Sequence, residues 1–329
     1  MSGAAAFQAV RADLIGLAYR MTGSLAQAED IAQDTFLRWS AADRGAVESP
    51  RAWMLKAAAR LSLDHLKSAR TRREQYVGPW LPEPVLEDEE PPQQAALAKA
   101  QDLSVAFLLT LQRLSPAERA VFILHDLFET SFAEIAGLLG RTEPACRKLA
   151  SRARARLGDV EARFPVSEVA TRRIAGAFLA ASRDGDLMRL HGLLAEDVVL
   201  YTDGGGLRPA ALNPVLGADR VGRFFAGLAR KRVGGPPPLL HLGRVNGLPG
   251  FVTLEADGLP QVTALELREE QVAAVYVVRN PEKLGAVLRR FTPPPQAGGE
   301  GAVPGSAGGH GAAWGGPGWP AARNDEGHA

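Results

Sequence analysis

The chain has 329 residues, of which 46% are hydrophobic, with a formal net charge of +1 and a single cysteine. That length predicts two or three domains with real cores. The lone cysteine excludes a disulfide framework and a cysteine-rich zinc site, and no metal or cofactor motif is present. There is no basic start followed by an apolar run and no apolar segment of membrane-spanning length, so a soluble, cytoplasmic protein without a membrane partner is expected.

Residues 7 to 73 read as helices. Phe7 to Met21 carries apolar residues at Val10, Leu14, Leu17, Ala18 and Met21, the spacing of one helical face. Ser24 and Gln27 form a capping-box signature for the next helix. In that helix Ala28, Ala32, Thr35, Phe36 and Trp39 face inward, while Glu29, Asp30, Gln33 and Asp34 gather on the other side. Such a face is either solvated or a docking surface for a basic partner. Ser49 and Pro50 open a third helix that uses Trp53, Leu55, Ala59, Leu63 and Leu66 for packing and is basic along its length, with Arg51, Lys56, Arg60, Lys67, Arg70, Arg72 and Arg73. A basic helix bearing an aromatic residue suits nucleic acid, through phosphate neutralisation and base stacking. Its ordinary alternative is a solvated helix paired with the acids that follow.

Those acids lie in a linker, GPWLPEPVLEDEEPPQQ, which cannot continue a helix. Within it Trp80, Leu81, Pro82, Glu83 and Pro84 form a stiff, extended, apolar stretch that calls for a groove to dock in. Helices resume near Gln94, with an amphipathic run from Leu97 to Leu114. Ser115, Pro116 and Glu118 start the next helix, which runs to about Asp126.

A helix-turn-helix follows. Ser131 caps a first helix with Glu134 closing the capping box, and Phe132, Ile135, Ala136 and Leu139 make its inner face. Gly140 and Arg141 make the turn, Thr142 caps the second helix, and Pro144 sits in its first turn. Cys146, Leu149, Ala150, Ala153 and Leu157 face inward, which leaves Arg147, Lys148, Ser151, Arg152 and Ala155 outward. A small apolar inner face and an Arg, Lys and Ser outer face are what a recognition helix in a major groove requires. The alternative is a helical hairpin with a solvated basic face.

After Pro165 the composition shifts to an α+β pattern. Helices are predicted over Val166 to Ala181, Leu187 to Leu194 and Ala218 to Arg230, and a strand over Val198 to Thr202. A curved antiparallel sheet is predicted from strands at Leu239 to Val245, Gly250 to Ala256, Gln261 to Arg268 and Gln271 to Val278, with turns at Asn246-Gly247 and Asp257-Gly258. Asn280-Pro281 starts a last short helix. From Thr292 onward the chain is Gly, Pro and Ala with Trp314 and Trp319 as its only large apolar residues near the end, a composition that predicts disorder.

The order of these blocks resembles a known family. AEDIAQDTFLRW, SPRAWMLKAAARLSLDHLKSARTRRE and LSPAERAVFILHDLFETSFAEIAGLLGRTEPACRKLASRARARL together look like the two domains of an extracytoplasmic-function sigma factor. GPWLPEP in the linker, the loop Asp203, Gly204, Gly205, Gly206, and the stretch Asn280, Pro281, Glu282, Lys283 resemble the sigma-J-like subgroup with a SnoaL-like extension. Leu207 stands where the family loop commonly has Lys. The resemblance implies a multidomain fold: two all-α sigma domains, the second with a helix-turn-helix, then an α+β SnoaL/NTF2-like cone and a disordered Gly/Pro-rich tail. The corresponding boundaries are 5–76, a linker at 77–94, 95–160, 166–291 and 292–329.

It also implies roles. Glu29, Asp30, Gln33 and Asp34 would bind core RNA polymerase. The basic helix with Arg51, Trp53, Lys56 and Arg60 would face the −10 element, and the loop from Ser40 to Glu48 would take an extruded base. Arg147, Lys148, Ser151 and Arg152 would read the −35 element, with Arg154 and Arg156 on phosphates. Promoter DNA and core polymerase are the implied partners. The linker and the two glycine- and proline-bearing stretches would give the extension control in cis, so that no separate anti-sigma factor is required. A small-molecule ligand of the extension is left open. Two other classes compete: a one-component helix-turn-helix regulator with a ligand-binding domain, and an enzyme using Asp203, His241, Glu255 or Glu266 as acid or base. No motif supports the enzyme.

Overall fold

The computed structural model describes residues 3–43, 45, 47–74, 76–87, 104–158 and 168–291. The predicted tail from Thr292, the run from Gln94 to Leu103, and positions 44 and 46 of the predicted loop lie outside the described residues.

Three helices come first: α1 (Gly3–Thr22), α2 (Leu25–Ala41) and α3 (Pro50–Glu74). The apolar positions predicted for α1 and α2 are buried or half-buried, and Trp39 stacks tilted on Trp53 with centroids 5.4 Å apart. The next segment, 76–87, is extended and ends in a two-residue strand, β1 (Leu86–Glu87). Helices α4 (Val105–Gln112), α5 (Pro116–Phe122), α6 (Phe132–Leu139) and α7 (Glu143–Leu157) follow. The helix begun at Ser115 does not stay α to Asp126: from Ile123 to Leu127 it widens to a π-helical turn. The helix-turn-helix stands on its local chemistry. Ser115–Glu118 and Ser131–Glu134 both close reciprocal capping boxes, Thr142 accepts from the Ala145 amide, and Gly140 turns the chain at φ +61°. One continuous apolar core runs from Phe7 and Leu14 in α1 through Leu55 in α3 to Leu111, Ile135 and Cys146, so the two helical domains pack on each other.

The C-terminal domain opens with α8 (Glu168–Asp184) and α9 (Leu187–Leu193), then β2 (Leu194–Asp203), a two-residue strand β3 (Val215–Leu216) and α10 (Ala218–Lys231). Strands β4 (Leu239–Val245), β5 (Leu248–Leu254), β6 (Pro260–Arg268) and β7 (Gln271–Val278) form a meander. A 3₁₀ turn (Pro281–Lys283) and α11 (Gly285–Phe291) end it. The sheet order is β1-β4-β5-β6-β7-β2-β3. The four strands predicted from 239 to 278 pair antiparallel as expected, and β2, for which the sequence pattern names no partner, joins them by pairing with β7 in parallel, Tyr201 opposite Tyr276. Turn residues specify hairpin neighbours, but they carry no information about which strand closes a sheet across a long connection.

Both faces of this sheet are apolar. One packs on the domain's own helices through Phe178, Leu190, Phe225, Phe251 and Val275. The other, with Val262, Ala264, Tyr276 and Val278, is covered by Leu81 and Leu86 of the linker, Val105 of α4, and Leu284 and Val287. A sheet face that its own domain covers only in part is therefore closed by the linker and α4.

Candidate functional site: a clamped linker

The linker is held at three places. Ordering one backbone residue costs about 1–2 kcal/mol, and fully burying a Leu side chain returns about 1.5–3 kcal/mol. Apolar anchors and entropy are thus of similar size, and the polar contacts decide whether the segment docks.

The first contact is a buried ion pair. Asp203 is fully buried and Lys283 is 9% exposed, and the ammonium donates to the carboxylate at 2.6 Å. Both groups also hold the linker backbone: the Leu81 amide donates to Asp203 at 2.8 Å, and Lys283 donates to the Leu81 carbonyl at 2.6 Å. Tyr76 donates to the other Asp203 oxygen at 2.5 Å and accepts from the Asn280 side chain at 2.9 Å. The Lys283 ammonium lies over the rings of Tyr76 and Trp80, 4.6 and 4.3 Å from their centroids. Burial, and then the hydrogen bond to Asp203, push the Tyr76 phenol well above its ordinary range. The Asp203–Gly206 loop is shaped for this: Gly205 sits at φ +62°, and a Cβ there would lie 2.3 Å from the Asn280 amide nitrogen. Leu207, at the position where Lys was expected, is exposed.

The second contact is with the N-terminal domain. Trp80 lies against Gly23, whose φ is +73° and where a Cβ would fall 2.2 Å from the indole. The capping box predicted from Ser24 and Gln27 is corrected: Ser24 does accept from the Gln27 amide, but the carboxylate at this helix start is Glu83. Glu83 accepts from the Ser24 hydroxyl at 2.5 Å and from the amides of Leu25 and Ala26 at 2.9 and 3.2 Å. A distant residue thus satisfies the orphan N–H groups of α2.

The third contact joins three parts of the chain. Asn246 exchanges two bonds with Val85, from its own amide to the Val85 carbonyl (2.8 Å) and from the Val85 amide to its side-chain oxygen (3.1 Å). Its side-chain amide donates to Tyr19 of α1 at 2.8 Å, and Tyr19 donates to the Glu83 carbonyl at 2.6 Å. Burial raises the Tyr19 phenol far above its usual range, so it stays a donor. Beyond Asn246, Leu86 and Glu87 add an edge strand to β4. Pro82 and Pro84 close a recess against Val245, Ala264 and Tyr276, with a free volume of about 10 Å³, the room of one water molecule.

Tyr76, Tyr19, Gly23 and Asn246 were not singled out from the sequence as site residues. Tyr76 lies next to the GPW signal, and Asn246 in the sequence carries only the signal of a hairpin-turn residue, which its φ of +50° also makes it.

The predicted nucleic-acid residues fall on two helices. On α7, Arg147, Lys148, Ser151 and Arg152 are exposed. Arg147 pairs with Glu143 at 3.1 Å and lies over the Phe132 ring. Arg154 forms a two-pronged pair with Asp126, and Arg156 pairs with the buried Glu118 at 2.9 Å. On α3, Arg60 is exposed, Trp53 is half-buried on Trp39, and Arg51 pairs with Asp13 at 3.0 Å. Lys56 pairs at 3.2 Å with Glu134, the capping-box acid of α6. The Ser131 hydrogen bond first, and then Lys56, hold the Glu134 carboxyl below its ordinary range, against the opposing effect of burial. Glu29, Asp30, Gln33 and Asp34 are all exposed on α2. The candidate acids and bases are scattered: Asp203 is committed to the clamp, Glu255 accepts from Thr253, and Glu266 accepts from Tyr276. No helix among the described residues is long and apolar enough to cross a membrane.

Comparison with known proteins matches the same division. The sigma-70 region 2 family model matches residues 6–72, and the sigma-70 region 4 model matches residues 104–157. The chain is 40% identical over 288 residues to the ECF RNA polymerase sigma factor SigJ of Mycobacterium tuberculosis, covering 84% of this chain and 91% of the relative. It is 33% identical over 283 residues to the probable ECF RNA polymerase sigma factor SigI of the same organism, covering 85% and 94%. The crystal structure of Mycobacterium tuberculosis SigJ superimposes with a TM-score of 0.69 at 38% identity, over 84% of this chain and 96% of that one.

Proposed function

Because the chain belongs to the extracytoplasmic-function sigma factors of RNA polymerase, we propose that it directs promoter-specific initiation under the control of its own C-terminal domain, which acts by clamping the linker. Region 2 is the α1–α3 domain and region 4 the helix-turn-helix domain. The exposed acidic face of α2, with Glu29, Asp30, Gln33 and Asp34, suits a positively charged surface of core polymerase. Arg147, Lys148, Ser151 and Arg152 would read the −35 element, each base contact worth about 1–3 kcal/mol of discrimination. Arg51, Trp53, Lys56 and Arg60 would serve the −10 element. Arg154, like Arg156, is paired within region 4 and would act by positioning the recognition helix as much as by phosphate contact. The protein would work in the cytoplasm, with polymerase and DNA.

The observation that carries the control reading is the docked linker, taken with the contact between the two DNA-facing parts. Lys56 of α3 lies 3.2 Å from Glu134 of α6. The two promoter elements are separated by roughly 25 base pairs, or ~85 Å at about 34 Å per helical turn of DNA. One molecule in this arrangement does not engage both. With Trp80, Leu81 and Glu83 clamped, the segment that must span the promoter is tied down, and the extension does the work of a separate anti-sigma factor. A small molecule seated beneath the linker would have to displace the prolines, because the recess there holds no more than a water. Asp203 is a structural carboxylate, and the protein is not an enzyme on this reading. A one-component regulator would leave region 2 and its acidic face without a role.

The test is transcription by core polymerase from the upstream region of the protein's own gene, comparing the full chain with its Trp80→Ala variant. A severalfold rise in output with core binding unchanged is expected. Equal output would refute control through the linker, and failure to co-purify with core polymerase would refute the initiation role.

A further inference from the structure

We infer that Arg119 is the latch that holds region 4 against region 2, and that it grips the same turn as Glu83, so that releasing the linker also loosens region 4. This deepens the cis-control reading by naming the route from linker to helix-turn-helix, and the coupling rests on that reading.

The turn between α1 and α2 is only Gly23 and Ser24. It presents the last carbonyls of one helix beside the first amides of the next, a negative end next to a positive end. Arg119, on α5 of region 4, is 2% exposed and donates to the Met21 carbonyl at 2.5 Å, with a second donor 3.4 Å from the Leu114 carbonyl. The cation thus meets the negative end. Glu83 meets the positive end through Ser24, Leu25 and Ala26, and its own amide donates to the Gly23 carbonyl at 2.9 Å. Opposite charges from two different parts of the chain therefore seat on either side of one residue, Gly23, with the Trp80 indole packed on it.

The turn itself is stiff. The Gly23 amide donates to the Tyr19 carbonyl at 2.7 Å, and the Thr22 hydroxyl donates to the Ala18 carbonyl at 2.8 Å. A shift that frees Glu83 changes the position of the Met21 carbonyl two residues away. A buried guanidinium tolerates little loss of its acceptors, since an unsatisfied buried charge is among the costliest groups in a protein. The half-exposed Lys56–Glu134 pair contributes less, since water screens it.

The experiment uses the full chain with Cys146→Ala, donor and acceptor dyes on Leu37→Cys in α2 and Ala155→Cys in α7, and hydrogen exchange of linker residues 79–87. Arg119→Met should raise the open population at least about fivefold, seen as lost energy transfer, and should speed exchange of the Leu81 and Val85 amides by a similar factor. Glu83→Gln, whose hydrogen bonds among the described residues all run to region 2, should produce both effects in reverse order of size. Arg119→Lys, which keeps charge and length, should fall between wild type and Arg119→Met, and it covers the case in which Arg119→Met does not fold. Unchanged energy transfer in both Arg119 variants would overturn the latch. Faster linker exchange in Glu83→Gln with unchanged energy transfer would overturn the coupling while leaving the Trp80 transcription test of cis control intact.

Discussion

The helix-turn-helix and the docked linker are both ordered, but by hydrogen bonds of opposite reach. In the helix-turn-helix domain the helix starts are fixed locally: Ser115 with Glu118, Ser131 with Glu134 and Thr142 with Ala145 are each three residues apart. The pairs Arg154–Asp126 and Arg156–Glu118, 28 and 38 residues apart, reach further but stay within the domain. In the linker the polar contacts are remote. Ala26 and Glu83 are 57 residues apart, and Asn280 and Tyr76 are 204 apart. A locally capped pair of helices keeps its shape when it moves as a body, as a DNA-reading element must. A segment held by distant groups can dock and undock as a unit, which is what the proposed control in cis requires.

The strongest way to break this comparison is to remove the clamp cation. Lys283→Met leaves Asp203 buried and unpaired, which should cost linker docking about 3–5 kcal/mol. Faster exchange of the Leu81 and Val85 amides, with protection in α6 and α7 unchanged, is the expected readout. Loss of protection in both regions at once would mean that they are a single cooperative unit.

pH should separate the two regions from opposite sides. Tyr76 has its phenol pKa raised in the docked state, so its contribution is complete below the unfolded value near 10 and falls away as pH rises beyond it. The linker should therefore loosen in alkali by about 1.5–3 kcal/mol, the worth of a hydrogen bond to a charged group. Glu134 and Glu118 have theirs lowered, so their contribution is present above the unfolded value near 4.3 and is lost as pH falls below it. For Glu118 the Ser115 bonds and Arg156 outweigh the opposing effect of burial. Amide exchange should show the linker opening as pH rises past the phenol range with α6 and α7 still protected, and the starts of α5 and α6 losing protection as pH falls below the carboxylate range. Loss of protection in α6 and α7 together with the linker in base would remove the distinction.

The smallest effect is expected from a single local cap. Ser131→Ala should cost about 1 kcal/mol, confined to α6, and leave the linker docked. Thermal unfolding followed in the helix-turn-helix, beside the same linker exchange measurement, would sharpen the contrast.

Much of the helical half was legible because its determinants lie within one or two turns of each other. Cap residues, the Gly140 turn, the Cys146–Ala150–Ala153 inner face and the exposed Arg147, Lys148, Ser151 and Arg152 follow from i, i+3 and i, i+4 spacing alone. The hairpins of the C-terminal sheet were legible for the same reason, at Asn246-Gly247 and Asp257-Gly258. The linker was recognisable as a segment that had to dock, because Trp80 and Leu81 between prolines have no local way to leave water. Its receptor was not. Ser24 announces a helix start, but only packing brings Glu83 rather than Gln27 to complete it. Asn246 reads as a turn former, and only the fold sets it between Tyr19 and Val85. Arg119 looks like one more cation on an amphipathic helix until α5 is laid against the end of α1. Short-range pattern fixes what each element is, since backbone hydrogen bonding and side-chain period are properties of neighbours in sequence. Which buried charge meets which helix end is settled only when distant elements share a core, because the cost of an unpaired buried group is felt only there.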